Sequence, residues 1–304
     1  MSADEKERRL KDVGENELVA DFVAMLGEGS DQVLHGPGDD CAVVESSADN
    51  GKVILLKTDC VVEGVHFEAA VEPGRVGWKA MARVLSDIGA MGGNPEHALV
   101  TMVLPGERTV DWATGIFSGL ERCAKEFGAE IVGGETSSGP VAMISVAMTG
   151  SVERDRVVTR AGGSAGDLLC VTGRLGGSIA GKHLDFTPRI REGSWLAEHA
   201  RPTAMMDLSD GLGSDLPRLA KASGVEFRVN EEALPLNDGC DVQSGITDGE
   251  DYELLFALAP DGFEEVVGRF ETEFPGVGLT CIGVLTDDAS EGSFSEGGWN
   301  HFAG

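Results

Sequence analysis

The sequence predicts a mixed α/β (α+β) protein of two domains. Segments with helical and with strand-like apolar spacing follow one another along the chain, which is the pattern of layered α/β folds. The length of 304 residues corresponds to about two domains of average size. A Gly-rich, apolar-poor stretch over residues 150–166 interrupts the pattern. We therefore expect a first domain over residues 1–150 and a second over residues 151–304.

Four segments have the spacing of amphipathic helices, with apolar residues every three or four positions. They cover residues 18–26, 76–91, 116–127 and 263–274. Six short apolar runs bounded by Gly, Pro or Asp predict strands. These runs cover residues 53–56, 98–104, 141–148, 168–171, 253–258 and 279–285.

The charge of the chain limits its partners. Lys and Arg number 24 against 52 Asp and Glu, so the net charge is −28. Such a chain repels nucleic acid and anionic membranes, and neither is an expected partner. The chain opens on a charged segment, and it has no apolar run long enough to cross a bilayer. Six scattered cysteines without a CxxC pair indicate the reducing cytoplasm.

Short acidic motifs beside strand or helix ends are the main candidates for chemistry. Any one of them is most simply a turn former or a helix N-cap. Asp87 differs, because it falls at the edge of the apolar face of its helix, where a carboxylate is costly without a partner. Asp207 follows the apolar residues 204–206 as though leaving a buried strand. Ser209 and Asp210 then fall at a predicted helix start, where a capping pair is the alternative interpretation.

Clustered carboxylates suit Mg²⁺, a hard cation that takes oxygen ligands and substrate phosphates. A metal would also explain how an acidic cleft binds an anionic substrate, since like charges about 4 Å apart repel by about 4 kcal/mol at a protein surface. Zinc is not expected, because the six histidines show neither an HExxH motif nor paired His/Cys spacing.

One segment has the glycine and lysine spacing of a P-loop. It covers residues 176–182 and follows a predicted strand, but His183 stands where the magnesium-binding Ser or Thr belongs. We interpret it as a tight turn. Covalent catalysis is not indicated either, because the chain contains no G-x-S-x-G motif.

Taken in order, eight motifs resemble those of the thiamine-monophosphate kinase family, within the aminoimidazole ribonucleotide synthetase superfamily. The resemblance runs from about residue 15 to the end of the chain. The motifs are GDDCAVV (38–44), TDCVVEGVHF (58–67), LSDIGAMGG (85–93), GGET (133–136), TRAGGSAGD (159–167), DLSDGLGSDL (207–216), GEDYELLF (249–256) and GWNHF (298–302).

The resemblance implies a two-domain synthetase-like fold. In that family the N-terminal domain pairs with its counterpart in a homodimer and forms a shared β-barrel, and a C-terminal α/β domain completes each active site. The implied reaction moves the γ-phosphoryl group of ATP directly onto thiamine monophosphate with the help of several Mg²⁺ ions. The products are thiamine diphosphate and ADP, and no phosphoenzyme is expected.

The resemblance also implies roles for individual residues. The magnesium ligands fall on Asp40, Thr58, Asp59, Asp87, Glu135, Asp207 and Asp210, of which Asp59, Asp87 and Asp210 are the expected catalytic carboxylates. ATP contacts fall on Gly134, Glu135, Arg160 and Ser209. Thiamine contacts fall on His66, Glu250 and Trp299. Simpler alternatives are a surface ion pair for Arg160, a structural role for His66 and a place in the core for Trp299.

Three positions depart from the pattern of the family. Glu135 stands where an Asp is usual, Lys57 where a Ser is common, and Asp248 where a Gly is frequent. A charged Lys57 cannot bind a metal, and we expect it to meet a phosphate instead.

Two alternatives to the kinase stay open from the sequence. One is another ATP-dependent synthetase of the same superfamily, which product analysis would distinguish. The other is a non-catalytic metal or nucleotide sensor, in which Glu135 and Lys57 would mark the loss of catalytic motif residues.

Overall fold

The computed structural model describes residues 15–26, 30–48, 51–288 and 294. Seven α-helices and eleven strands lie in these residues. The helices are α1 (Glu15–Met25), α2 (Pro73–Ala90), α3 (Val110–Phe127), α4 (Ile190–Trp195), α5 (Leu212–Ser223), α6 (Val242–Thr247) and α7 (Phe263–Glu273). The strands are β1 (Val33–His35), β2 (Ala42–Glu45), β3 (Lys52–Val62), β4 (Asn94–Leu104), β5 (Glu130–Ser138), β6 (Met143–Glu153), β7 (Leu168–Thr172), β8 (Ala204–Asp207), β9 (Glu226–Val229), β10 (Leu254–Leu258) and β11 (Leu279–Thr286).

The strands form two sheets, one in each half of the chain. The first has six strands in the order β1-β2-β3-β6-β4-β5, and the second has five in the order β8-β10-β7-β11-β9. Strands β4 and β5 pair in parallel, and the other neighbouring strands are antiparallel. The prediction of a mixed α/β fold with two domains is confirmed.

The two sheets are covered differently. Buried and exposed residues alternate along β3, as in a sheet with one face on a core. Every residue of β10 is buried, because cores lie on both faces of the second sheet. Helices α2 and α3 cover one face of the first sheet, and the other face exposes Leu56, Leu99 and Val132.

The sequence analysis located most of the helices and strands, but several predicted segments are shorter than the observed elements. The apolar run over residues 53–56 is part of β3, which continues to Val62 although Lys57, Thr58 and Asp59 interrupt the run. Residue 150, where the sequence places the domain boundary, lies inside β6, since Gly150 pairs with Leu55 of β3.

Helix α2 is the central helix of the protein. It begins at Pro73, and the Glu72 carboxylate before it accepts hydrogen bonds from the backbone N–H groups of Gly74 and Arg75. It packs against α3 and β3 of the first half, and against α4 and β8 of the second half. Helix α2 therefore contacts both halves of the chain.

Two glycines allow the close helix crossings at α2. A Cβ atom on Gly119 of α3 would lie 2.0 Å from the backbone oxygen of Gly74. A Cβ atom on Gly193 of α4 would lie 2.0 Å from the backbone oxygen of Gly89. Both contacts are against backbone, which cannot rotate away as a side chain can.

The segment with P-loop-like spacing forms two 3-10 turns, Ser178–Ala180 and Lys182–Leu184. The N–H groups of Gly176 and Gly177 donate to the carboxylates of Asp251 and Asp248. These amides bind carboxylates of the chain itself, which agrees with its interpretation as a tight turn. No helix among the described residues is long and apolar enough to span a membrane.

The crossing of α2 and α3 gives a stability prediction. Gly119→Ala should lower the free energy of unfolding by about 3 kcal/mol, because the added methyl group forces the two helices apart. The matched control is Gly268→Ala in α7, where nothing lies within 4 Å of the added atom, and which should stabilise by up to about 1 kcal/mol. Urea unfolding of both variants measures the difference, and wild-type stability in Gly119→Ala would contradict the packing.

Candidate active site

Three buried carboxylates from distant parts of the chain meet in one cluster. Asp40 precedes β2, Asp87 lies on α2 and Asp207 is the last residue of β8. One oxygen atom of each lies within 4.8 Å of the others. Each residue is at most 6% exposed. We call these three residues the acidic cluster.

The local structure explains why these side chains point inward. All four residues of β8 are buried, so the carboxylate at its end is held inside the protein. Asp87 lies on the stretch of α2 that is buried without interruption from Val84 to Ala90. Charged groups placed in this way require partners, because the free-energy cost of burying an uncompensated charge is large.

Each carboxylate of the acidic cluster gives one oxygen to a donor of the chain. Lys57 Nζ lies 2.8 Å from Asp87 Oδ1 and Arg160 Nη2 lies 2.6 Å from Asp40 Oδ1. Ser86 Oγ donates to Asp207 Oδ2 at 2.6 Å. Asp40 Oδ2 is buried and has no hydrogen-bond partner among the described residues.

The ionisation of the acidic cluster reflects its burial. Desolvation raises the pKa of Asp207 to about 6 and raises the pKa of Asp87 well above its ordinary value. Burial opposes the charge of Lys57, but Asp87 and Asp59 outweigh it and raise the pKa of this ammonium. A further cation beside the cluster would therefore stabilise the charged carboxylates.

The acidic cluster fits a divalent cation such as Mg²⁺. Its ligand atoms are carboxylate oxygens, which a hard cation prefers. The buried, unpartnered oxygen of Asp40 is the observation that points to an ion, because buried polar atoms ordinarily have partners.

A cavity of about 700 Å³ opens beside the cluster. Its walls include His66, Ser209, Asp210 and Glu250, four of the residues predicted from the sequence. The backbone N–H of Val62 donates to His66 Nδ1 at 3.1 Å. In the neutral ring the proton then lies on Nε2, which is the donor of this side chain.

A buried lysine holds Glu250 in the wall of the cavity. The ammonium of Lys79, whose side chain is fully buried, lies 2.6 Å from Glu250 Oε2 and 2.7 Å from His183 Nδ1. Burial opposes the charge of Glu250, but bonds from His183 and Lys79 lower its pKa to about 2. Burial in turn lowers the pKa of Lys79 to about 8, although Glu250 opposes this change.

The backbone around Glu250 is strained. Glu250 has φ 64° and Tyr252 has φ 51°, in the left-handed region that favours glycine. The ring of Tyr252 stacks on Phe186 with centroids 3.9 Å apart, which holds the loop in place. Such strain concentrates at functional sites, where the surrounding structure supports it.

Two features connect the cavity to the acidic cluster. Arg83 lines the cavity and lies four residues before Asp87 on α2. Its Nε lies 3.1 Å from Asp59 Oδ2, while its buried Nη1 lies 3.8 Å from Glu250 Oε1 and has no hydrogen-bond partner among the described residues. The segment from Asp207 to Asp210 begins in the cluster and ends in the cavity wall, where Arg218 donates to the Asp210 carboxylate.

Some predicted residues are not brought to this site. The side chain of Thr58 lies on the opposite face of the sheet from Lys57 and Asp59, because neighbours in a strand alternate. Gly134 and Glu135 lie on the exposed edge strand β5. Two strands separate β5 from β3, so within one chain Glu135 is about 14 Å from the Asp59 region. Trp299, with the rest of the C-terminal tail, lies outside the described residues.

The sequence prediction missed Lys79, Arg83 and Tyr252. Lys79, Arg83 and Asp87 are spaced by four residues on α2 and form one polar stripe on a buried helix. That spacing is the signal that could have identified the two cations. The ammonium of Lys57 pairs with Asp87, and the expectation that it meets a phosphate stays a prediction.

Comparisons with known proteins identify the family of both halves of the chain. The family model of the AIR synthase related protein N-terminal domain matches residues 38–152, and that of its C-terminal domain matches residues 161–294.

The chain is also similar to individual kinases over nearly its whole length. It is 32% identical to the thiamine-monophosphate kinase of Salmonella typhimurium, over 95% of this chain and 98% of the relative. It is 34% identical to that of Aquifex aeolicus, over 97% and 100%. The solved structure of AaThiL complexed with AMPPCP and TMP superposes with a TM-score of 0.83 at 31% identity, over 97% of this chain and 99% of that one. The chain belongs to the thiamine-monophosphate kinase family.

Proposed function

We propose that this chain transfers the γ-phosphoryl group of ATP to thiamine monophosphate in a Mg²⁺-dependent reaction, which gives thiamine diphosphate and ADP. The observation that carries the proposal is the junction of two sites. A buried cluster of carboxylates adjoins a cavity of about 700 Å³ with His66 and Glu250 in its walls. One site suits the phosphates, and the other suits an organic acceptor.

The acidic cluster with Asp59 and Asp210 would hold Mg²⁺. The bound metal would neutralise phosphate oxygens and reduce the repulsion between two polyanionic substrates. Glu135 and Thr58 remain proposed Mg²⁺ ligands. Within one chain they do not face the acidic cluster, so they would bind the metal only in an assembly with a second chain.

Arginine side chains of the chain itself face the same region. Arg160 Nε and Arg83 Nη1 are buried donors without a hydrogen-bond partner among the described residues. Their guanidinium groups stay charged and offer planar donor pairs that match phosphate oxygens. We assign Arg160, with Gly134 and Ser209, to the ATP side and Arg83 to the junction with the acceptor.

A strong general base is unnecessary, because the acceptor phosphate is already an oxyanion near neutral pH. The chain contributes by orienting the two substrates and excluding water. His66 donates from Nε2, and Glu250 accepts hydrogen bonds from the heterocycle of the acceptor. Lys79 keeps Glu250 in that position, and Trp299 is the proposed stacking residue.

We further propose a homodimer in which the first sheets of two chains form a shared β-barrel. The outer face of the six-stranded sheet exposes Leu56, Leu99 and Val132, which supports burial against a second copy. A second copy would also supply the route by which residues of β5 reach a site. The N-terminal domain, residues 1–150, would bind ATP and Mg²⁺ and dimerise, and residues 151–304 would complete the site. Six free cysteines support a cytoplasmic location.

Phosphorus NMR tests the reaction directly. Purified protein is incubated with ATP, Mg²⁺ and thiamine monophosphate, in low and in high KCl. Stoichiometric thiamine diphosphate and ADP are expected. Release of inorganic phosphate without thiamine diphosphate would instead indicate a synthetase of the superfamily, and no turnover by folded protein would indicate a non-catalytic relative.

The carboxylates of the site give a mutational prediction. Asp87→Asn and Asp59→Asn should each lower kcat by at least about 100-fold, because a neutral amide binds Mg²⁺ poorly. The fold should persist, as judged by circular dichroism. The control is Asp155→Asn, an exposed carboxylate paired with Arg201, which should keep wild-type kcat. Near-normal activity in both test variants at saturating Mg²⁺ would refute the ligand assignment.

The outer face of the first sheet gives a prediction about assembly. Leu99→Asp should convert the dimer to a monomer, because a charge placed in an apolar interface cannot be solvated. Leu99 is 52% exposed in the single chain, so the substitution should not disturb the fold. Val110→Asp, at an exposed position on α3, is the control and should stay dimeric. Light scattering after gel filtration measures the mass, and a wild-type monomer would contradict the proposal.

A further inference from the structure

Lys57 is a partly buried cation beside the acidic cluster. It lies on the face of β3 that packs against α2, beside Leu55 and Asp59, and its side chain is 23% exposed. Its ammonium lies 2.8 Å from Asp87 Oδ1. Its carbon chain is thus enclosed while its charge meets a carboxylate of the acidic cluster.

The charges around this position are partly balanced by the chain itself. Four carboxylates, namely Asp40, Asp59, Asp87 and Asp207, lie in the region. Lys57, Arg83 and Arg160 pair with three of them, and Ser86 donates to the fourth. Asp39, whose carboxylate accepts hydrogen bonds from the backbone N–H of Arg160, is a fifth negative group, so five carboxylates and three cations leave a formal charge of −2 for a bound metal to balance.

The ammonium also occupies a ligand position. A divalent ion on the same oxygen atom as the ammonium would lie within about 5 Å of it, and the two cations would repel. Asp40 Oδ2 differs, because it is buried and has no hydrogen-bond partner among the described residues. Two possible cation positions therefore differ. The ammonium of Lys57 occupies the one at Asp87 Oδ1, and no group of the described residues occupies the one at Asp40 Oδ2.

We propose that Lys57 is a resident cation of the acidic cluster: its ammonium holds the position on Asp87 Oδ1 that a divalent ion would otherwise take. Lys57 is thus a positioning residue, which fixes Asp87, weakens metal binding at the cluster and stabilises the metal-free protein. This inference rests on the proposed function, since it concerns the metal site of the same reaction.

Metal binding without substrates tests the proposal. Titration calorimetry with Mn²⁺ alone, on the full chain, should show at least about tenfold tighter binding in Lys57→Met than in the wild type, because a repelling charge has been removed. Lys57→Arg, which keeps the charge, should stay near the wild-type affinity. The matched control is Lys52→Met on the same strand, an exposed lysine paired with Glu153, which should not change the affinity.

Thermal unfolding provides the second measurement. Without metal, Lys57→Met should unfold at a lower temperature than the wild type, and Mn²⁺ should restore its stability by a larger shift than the wild type shows. Unchanged Mn²⁺ affinity in Lys57→Met, or a variant that stays unfolded in millimolar Mn²⁺, would overturn the proposal. Failure of the proposed kinase reaction would appear separately, in the products formed by wild-type protein.

Discussion

The cost of burying several carboxylates close together shapes this protein. Asp40, Asp87 and Asp207 come from three distant parts of the chain, and each must be given donors or cations once it leaves water. Lys57, Arg160 and Ser86 each hold one oxygen of one carboxylate. The remaining oxygens are oriented before any ligand arrives, which is the preorganisation that phosphoryl transfer requires.

Helix α2 carries several of the side chains that hold these carboxylates and the wall of the cavity. Its polar side chains lie on one stripe, where Asp87 and Ser86 serve the acidic cluster, Lys79 holds the cavity wall and Arg83 lies between them. The helix is otherwise buried against both halves of the chain, and glycines at its crossings let the neighbouring helices approach. A shift of α2 would therefore move the acidic cluster and the wall of the cavity together.

The sequence predicted what depends on local pattern. Apolar periodicity located the main helices and strands, and the cost of burying isolated carboxylates singled out Asp87 and Asp207. The sequence could not predict contacts between segments that are far apart along the chain. Lys79 and Glu250 are 171 residues apart, so their pairing has no local signal. The predicted strand ended at residue 56, so the sequence also did not show that Thr58 and Asp59 lie on β3, where neighbouring side chains face opposite ways. Nor could it show how far Glu135 lies from Asp59, because that distance depends on the order of the strands in the sheet.

The central claim is that this acidic site binds polyphosphate only through a divalent cation. It is tested most directly by titration calorimetry of a non-hydrolysable ATP analogue into wild-type protein, first after treatment with EDTA and then in millimolar Mg²⁺. We expect no measurable binding without the metal, because the remaining negative charge of the site repels the phosphates, and clear binding with it. Equal affinity under the two conditions would contradict the claim and would assign phosphate binding to Arg83, Arg160 and Lys57 alone.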